Sequence, residues 1–379
     1  MAGFFALSKN VIQKIDKLLW LIIAIVSFYG LLLNISAARA SGGFCKSQLI
    51  AVFLGIVLAF LIQFVDYRKI AKHYFSIGCI CVALFIFTLI FGTNITGISG
   101  VNARAWVKLP FGMSFQPSEL IKIGFIVTIA KHLEILNNLS EKRVRNRKLS
   151  PKMKCLILLA FHVFVPILFT HLQGDDGAAI IFLCIAVFEM FIDGIESKYF
   201  LWAITAFAIS APLMWNFALA PYQKNRILNQ FNPESDPLGV GFQQIQGKIS
   251  IGSGGIFGKG LFCGKRVGDG SVPIQESDFI FSVSGEELGF AGCFLILILM
   301  IFLILRISFV ARRARDQLGV NICFGFIGLI ASQCIFNIGM CLSLIPVIGV
   351  TLPFFSAGGS SVICLFICFG IIQSIRVYS

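Results

Sequence analysis

Apolar runs close to twenty residues long recur along this chain from one end to the other, and they leave it almost no choice of fold. A segment of that length matches the roughly 30 Å of hydrocarbon in a bilayer when it is helical. In hydrocarbon every backbone N–H and C=O has to be bonded inside the protein, which a helix does by itself. The runs are Leu18–Leu33, Leu49–Val65, Tyr74–Phe91, a shorter one around Leu120–Ala130, Cys155–Thr170, Ala178–Ile192, Tyr199–Leu219, Leu288–Ile307, Val320–Leu342 and Phe354–Ile375. They predict an all-α polytopic membrane protein with about ten transmembrane helices. A content of 57% hydrophobic residues and a mean hydropathy of +0.89 exclude an ordinary soluble globule. Nothing between the runs is long or polar enough for a separate soluble domain, so residues 1–379 read as one integral-membrane domain.

The first run follows Lys9, Lys14 and Lys17, an arrangement shared with secretory signals. Ser36-Ala37-Ala38 comes only after a run already long enough to span, so the segment reads as an uncleaved first helix. A formal charge of +13 would suggest nucleic acid in a soluble protein. Here the cations gather in three short loops: Lys142, Arg143, Arg145, Arg147, Lys148 and Lys152; Arg312, Arg313 and Arg315; and Arg68, Lys69 and Lys72. An even number of spans puts all three on one side together with both termini. By the positive-inside rule that side is the cytoplasm, and no nucleic-acid partner is called for. The expected localisation is a cytoplasmic membrane, as a multi-pass protein surrounded by membrane lipid.

Most of the twelve cysteines lie inside the apolar runs, where they act as small apolar residues. Cys45 and Cys263 fall in outer loops, where a disulfide is chemically open to them. No CxxC pair or His/Cys cluster suggests a metal site. The longest hydrophilic stretch, Ala220 to about Asp278, is the extracytoplasmic loop between helices 7 and 8, and is too apolar to be simply disordered. Its glycine-rich part, Gly252-Ser253-Gly254-Gly255-Ile256-Phe257-Gly258-Lys259-Gly260, fits neither nucleotide template: Ser253 and Gly260 break the Walker pattern, and Phe257 takes the third glycine of GxGxxG. Close backbone packing, or backbone N–H groups facing a phosphate, suits it better.

Chemistry can come from few places. Gln116-Pro117-Ser118-Glu119 opens the fourth helix with ordinary start signals, but Lys122 stands one turn after Glu119 on the same face. The two read as a buried functional pair, or as a cap with a snorkelling lysine. Asp175 and Asp176 occupy an outer turn, where they cap a helix or face a polar cavity. Asp278, in Gln275-Glu276-Ser277-Asp278-Phe279-Ile280-Phe281, ends the long loop. It reads as the cap of the eighth helix or as a general base for a sugar hydroxyl. Glu286 and Glu287 follow in an expensive place and suit structural pairing. The outer loops also hold Arg104, Lys108, Arg226, Lys248, Lys259, Lys265 and Arg266, cations suited to a bound pyrophosphate.

These motifs together resemble the SEDS family of bacterial cell-envelope proteins over nearly the whole chain, its rod-shape branch more than its division branch. The resemblance is carried by Gln116-Pro117-Ser118-Glu119 with Lys122, Asn232-Pro233-Glu234-Ser235-Asp236-Pro237-Leu238-Gly239, Ile251-Gly252-Ser253-Gly254-Gly255, Asp278-Phe279-Ile280-Phe281, Asn337-Ile338-Gly339-Met340 with Pro346, and Gly358-Gly359-Ser360-Ser361. It implies a ten-helix peptidoglycan glycosyltransferase that polymerises lipid II into glycan strands during cell elongation and releases undecaprenyl pyrophosphate. The implied partner is a class B penicillin-binding protein. It also implies Asp278 as the catalytic residue and a functional role for Glu119, Lys122 and Asp175, with Arg104, Arg226, Lys248 and Lys259 as candidates for the pyrophosphate. No cofactor is called for, although a divalent cation could share the pyrophosphate charge. The alternatives are a flippase for the lipid-linked precursor, a non-catalytic scaffold that activates the penicillin-binding protein, and a division-type role. The chain departs from the family pattern before Asp278, where Pro273-Ile274-Gln275-Glu276-Ser277 places an extra acid. If close, Glu276 would raise the Asp278 pKa by like-charge repulsion. Gly174, Asp176, Ala357 and the split Arg104-Ala105-Trp106 are further departures.

Overall fold

A computed structural model describes residues 13–41, 46–93, 104–108, 114–140, 151–231 and 240–379. Cys45, the basic run Lys142–Lys148 and the Asn232–Gly239 motif lie outside the described residues.

A helix stands at each of the ten expected places. In chain order these are α1 (Lys17–Ala37), α2 (Lys46–Ile62), the short α3 (Tyr67–Lys72), α4 (Tyr74–Phe91), α5 (Pro117–Ser140), α6 (Pro151–Leu172), α7 (Asp176–Ile192) and α8 (Ser197–Leu213). The outer loop contributes α9 (Pro221–Phe231), α10 (Val240–Gly254), α11 (Lys265–Gly268) and α12 (Ile280–Glu287). The chain then closes with α13 (Gly289–Ala311), α14 (Gln317–Cys341) and α15 (Gly359–Tyr378). Among the described residues seven helices are long and apolar enough to cross a membrane, and α2 is a shorter apolar helix of 10–17 residues. A two-residue antiparallel ladder pairs Val107 with Phe115 and Lys108 with Ser114 beside the start of α5.

Several boundaries differ from the sequence expectation by a few residues, two of them with a clear local cause. The helix expected around Leu120–Ala130 runs for 24 residues, because Lys131 and Glu134 pair across one turn and carry it on at 26% and 33% side-chain exposure. The last helix starts at Gly359 rather than Phe354. Phe354 adopts φ +65°, and Ser356 turns back to donate to the Ser277 carbonyl.

Small residues set the helix spacing, as lipid-embedded bundles require. A Cβ at Gly55 of α2 would stand 2.5 Å from Phe366 of α15, and one at Gly370 would stand 2.9 Å from the Ala59 carbonyl. Gly325 and Gly328 let α14 close on α7 in the same way, against Glu189 and Phe188. Helix α8 differs: it buries none of its described residues and packs chiefly on the π-helical turn Met214–Ala218 that follows Pro212.

The bundle has two unlike ends. One gathers Asp16 with Gln373 and Arg306, Tyr67 with Asp316, and Asp193 with Asn137 and Asn321. Arg68, Lys69, Arg312 and Arg313 flank these groups, so this is the basic end. Tyr378 bonds the Phe64 carbonyl there, which puts both ends of the described chain on that side.

The other end is built by the long loop, which folds into helices instead of spreading over the surface. Helix α10 lies on α12 so closely that a Cβ at Gly254 would come 2.0 Å from the Gly285 carbonyl. Between α12 and α13 the chain breaks at Gly289, φ +66°, and a Cβ there would stand 2.4 Å from the Gly258 nitrogen. The glycine-rich run is therefore a backbone-packing device. Lys259 N and Gly260 N donate to the Glu286 and Glu287 carbonyls, and Phe290 N and Ala291 N donate to those of Gly255 and Ile256.

Glu286 and Glu287, both fully buried, lock this corner. Glu286 accepts from Lys259 Nζ at 2.8 Å, Arg266 N at 3.0 Å and Val267 N at 3.2 Å. Glu287 accepts from Ser36 Oγ at 2.6 Å, Arg39 Nη2 at 2.7 Å and Gly264 N at 3.3 Å. The pairing anticipated for these acids ties the loop to α1. Glu287→Ala would strand those donors and is expected to cost about 3 kcal/mol of stability, whereas Glu287→Gln keeps an acceptor oxygen and should lose about half as much. Thermal unfolding in detergent should rank wild type above Gln above Ala.

Candidate active site

The seven-residue strip from Pro273 to Phe279 is not helical, and that is what frees Asp278. Helix α12 begins with Phe279 as its cap residue and no side-chain cap, so Asp278 does not serve as the helix cap that was one reading of its position. Its carboxylate accepts from the adjacent Ser277 hydroxyl at 3.0 Å. The strip is held from three sides. Asn337 of α14 donates its amide to the Asp278 carbonyl at 2.9 Å and to that of Val350 at 2.7 Å. Ser356 Oγ donates to the Ser277 carbonyl at 2.5 Å, and Ala357 N to that of Glu276 at 2.7 Å. Ile274 sits in the left-handed region at φ +56°, the local cost of turning the strip inward.

Asp278 faces a cavity of about 390 Å³, within the range of small-molecule sites. The opposite wall is the start of α5 and the turn before α7. Gln116 Nε2 donates to Asp175 Oδ2 at 2.7 Å, while Asp175 Oδ1 accepts from Ala178 N at 3.0 Å. Asp175 thus caps α7 and faces the cavity at once, so its two sequence readings hold together. One turn into α5, Lys122 Nζ donates to Glu119 Oε1 at 2.8 Å, with both residues under 10% exposed. Lys122 is paired inside the protein and does not snorkel. Arg226 reaches the cavity from α9. Gly349, φ +71°, leaves space directly before Asp278: a Cβ there would come 3.8 Å from Oδ2.

Enclosure in protein pushes the Asp278 carboxyl above the ordinary carboxylate range. The Ser277 hydrogen bond and the Arg226 charge pull it down, and the Asp175 charge pushes it up again. Enclosure raises Asp175 as well, against its bond from Ala178 N and the charge of Lys122. The like charge that acts on Asp278 is therefore Asp175, not the Glu276 that its position in sequence suggested.

The other expected cations lie elsewhere. Ala105 and Trp106 line the cavity while Arg104 points out, its backbone N–H bonded to the Gln173 carbonyl at 2.9 Å. Lys248 is exposed on α10, and Lys259 pairs with Glu286; neither lines this cavity. Gln333 of α14 lines it with a buried side-chain oxygen that has no hydrogen-bond partner, and Gln243 of α10 lines it too. Sequence reasoning passed over both, since an amide, whether inside a predicted span like Gln333 or in the outer loop like Gln243, carries no signature of its own. Among the described residues no group of three or more His, Cys, Asp or Glu is arranged to hold a metal ion, so no step is routed through one.

A family model described as cell cycle protein, covering FtsW, RodA and SpoVE, matches residues 16–379. The chain is 31% identical over 365 residues to the peptidoglycan glycosyltransferase MrdB of Escherichia coli K12, covering 96% of this chain and 94% of that one. It is 32% identical over 372 residues to stage V sporulation protein E of Bacillus subtilis, covering 96% and 97%. Among solved structures, a chain from a peptidoglycan synthase complex that coordinates polymerization and crosslinking aligns with TM-score 0.77 and 31% identity over 96% of this chain and 97% of that one. The rod shape determining protein RodA of Thermus thermophilus aligns with TM-score 0.67 and 26% identity over 96% of each chain.

Lys122→Ala would leave the Glu119 carboxylate buried without its cation and is expected to cost about 3–5 kcal/mol, most of which the double variant Glu119→Gln/Lys122→Met should restore. A second expectation follows from the raised Asp278 carboxyl. Such a group is best tolerated protonated, so the stability it contributes is complete below its unfolded value near 3.8 and is lost as pH rises through its folded value. Asp278→Asn should therefore melt higher than wild type at neutral pH, and the gap should close toward pH 3. Melting curves across that range check both the sign and the window.

Proposed function

Because the chain belongs to the FtsW, RodA and SpoVE family of cell cycle proteins, a family of multi-pass membrane proteins, we propose that it is a peptidoglycan glycosyltransferase that polymerises lipid II in the bacterial cytoplasmic membrane. The observation that carries this reading is a single one. An uncapped carboxylate, Asp278, shares a 390 Å³ cavity with a second acid, a buried ion pair and an arginine, at the end of the bundle away from the basic loops.

The reaction needs three things of the protein. A hydroxyl on the acceptor sugar attacks the anomeric carbon of the donor, and the bond from that carbon to the pyrophosphate oxygen breaks. The pyrophosphate leaves with the electron pair, and the hydroxyl proton has to go elsewhere. Asp278 takes that proton; a carboxyl raised toward neutrality is a better base at working pH than a free aspartate, and such a group typically contributes about 10²–10⁴-fold. Arg226 is the cation that meets the departing pyrophosphate, in preference to Lys248 and Lys259, which stand away from the cavity. Gln116 fixes Asp175 opposite Asp278, the charges of the Glu119–Lys122 pair act on Asp175, and Asn337 fixes Asp278 itself. The proposed partner is a class B penicillin-binding protein that cross-links the strands.

A flippase needs polar groups in series through the bundle. Among the described residues α5 offers Ile123, Ile126 and Val127 below Lys122, all buried and apolar, which disfavours that path. A scaffold that only activates its partner remains separable by assay.

With purified protein, its partner and lipid II, Asp278→Asn should stop glycan formation while the protein still melts cooperatively. Arg226→Ala is expected to slow polymerisation about 100-fold, and Lys248→Ala should leave the rate within about twofold of wild type. Glycan made at the normal rate by Asp278→Asn would remove the assignment.

A further inference from the structure

At the basic end, far from the cavity, a groove of about 560 Å³ opens between the first turn of α1 and the last turns of α2. Its walls are Ile15, Trp20, Val57, Phe60 and Leu61, and the one charged group lining it is Lys17. Phe60 and Leu61 are 47% and 57% exposed, so the groove is open along its flank. Trp20 is fixed in place, edge-on to Phe369 of α15 with 4.5 Å between ring centroids.

Among the described residues Lys17 has no acid to pair with. The neighbouring Asp16 is already paired: its Oδ1 accepts from Leu19 N at 3.0 Å and from Arg306 Nε at 3.1 Å, and its Oδ2 stands 2.7 Å from Arg306 Nη2 in an ion pair. Among the described residues Lys17 forms no ion pair and stays exposed. Lys14, one turn before it, is exposed too. An unpaired cation at the mouth of an otherwise apolar slot, beside a tryptophan at the end of a membrane helix, calls for a ligand that is anionic at one end and hydrocarbon along the rest.

We propose that this groove is a binding site for one anionic phospholipid of the cytoplasmic leaflet, its phosphate on Lys17 and one acyl chain along Val57, Phe60 and Leu61. A free phosphate would leave the apolar walls unused, and a zwitterionic lipid would bring its own cation to Lys17. One cation near a membrane surface favours an anionic lipid by about fivefold. The site lies on the opposite end of the bundle from Asp278, so its test is independent of the glycosyltransferase reading.

The test uses Trp20 as the reporter. In a full-length chain carrying Trp106→Phe, Trp202→Phe and Trp215→Phe, Trp20 is the remaining tryptophan. The protein is placed in vesicles of phosphatidylcholine doped with brominated phosphatidylglycerol or with brominated phosphatidylcholine. The expected result is quenching at about a fivefold lower fraction of the brominated phosphatidylglycerol, a preference that Lys17→Gln abolishes. Equal quenching by the two lipids, a preference that survives Lys17→Gln, or no quenching by either would overturn the proposal. Native mass spectrometry of the otherwise wild-type chain in mixed lipid gives the same reading without the tryptophan changes: one phosphatidylglycerol retained by wild type and lost in Lys17→Gln, with equal retention counting against the site.

Discussion

Two adjacent, fully buried carboxylates, Glu286 and Glu287, hold together the corner of this protein from which the candidate site is built. Charges in such a place are tolerated only when their oxygens are bonded. Their partners come from far apart in the chain: Ser36 in the last turn of α1 and Arg39 just after it, Lys259 at the end of the glycine-rich run, and the backbone of Gly264, Arg266 and Val267. These bonds, to both oxygens of Glu286 and to Oε1 of Glu287, fold the long outer loop against α1 and α13. That closure sets the frame in which Asn337, Ser356 and Ala357 pin the strip that carries Asp278.

From this corner the site is assembled by a chain of constraints. The break at Gly289 separates α12 from α13, and the strip before α12 is pinned by Asn337, Ser356 and the backbone of Ala357. Across the cavity, Asp175 spends one oxygen on capping α7 and the other on Gln116. The two acids are thus rigid, partly enclosed and within electrostatic reach of each other. That arrangement makes a carboxylate more basic than a free aspartate. It also works against stability, as functional sites commonly do.

Gln116–Lys122, Asp278, Asn337 and the Gly358–Ser361 run, all quoted from the sequence, meet at this one place, although most were informative only by resemblance. Asn337, Pro346 and the Gly358–Ser361 run had no individual chemistry to suggest, yet Asn337 and the segment after it position Asp278. The reverse holds for the cations. Arg104, Arg226, Lys248 and Lys259 looked alike as outer-loop charges, and of these only Arg226 lines the cavity. Charge counting along a loop cannot separate a cation that faces a ligand from one neutralised by a buried acid, as Lys259 is by Glu286.

By itself the sequence determined the class of fold, the places of the long apolar helices, and the end of the molecule that carries the basic loops. Those features follow from local physics: backbone groups in hydrocarbon have to be bonded within a helix, and cations gather on one side. It also marked Glu119–Lys122, because one helical turn fixes their proximity. Only the tertiary structure decided that the long loop is helical, that Asp278 is uncapped, that Asp175 rather than Glu276 is the acid acting on it, and that Gln333 and Gln243 face the same space. Each of these depends on contacts between segments far apart in sequence, set by close glycine packing and by the demand of two buried acids for donors, and neither has a period that can be read along the chain.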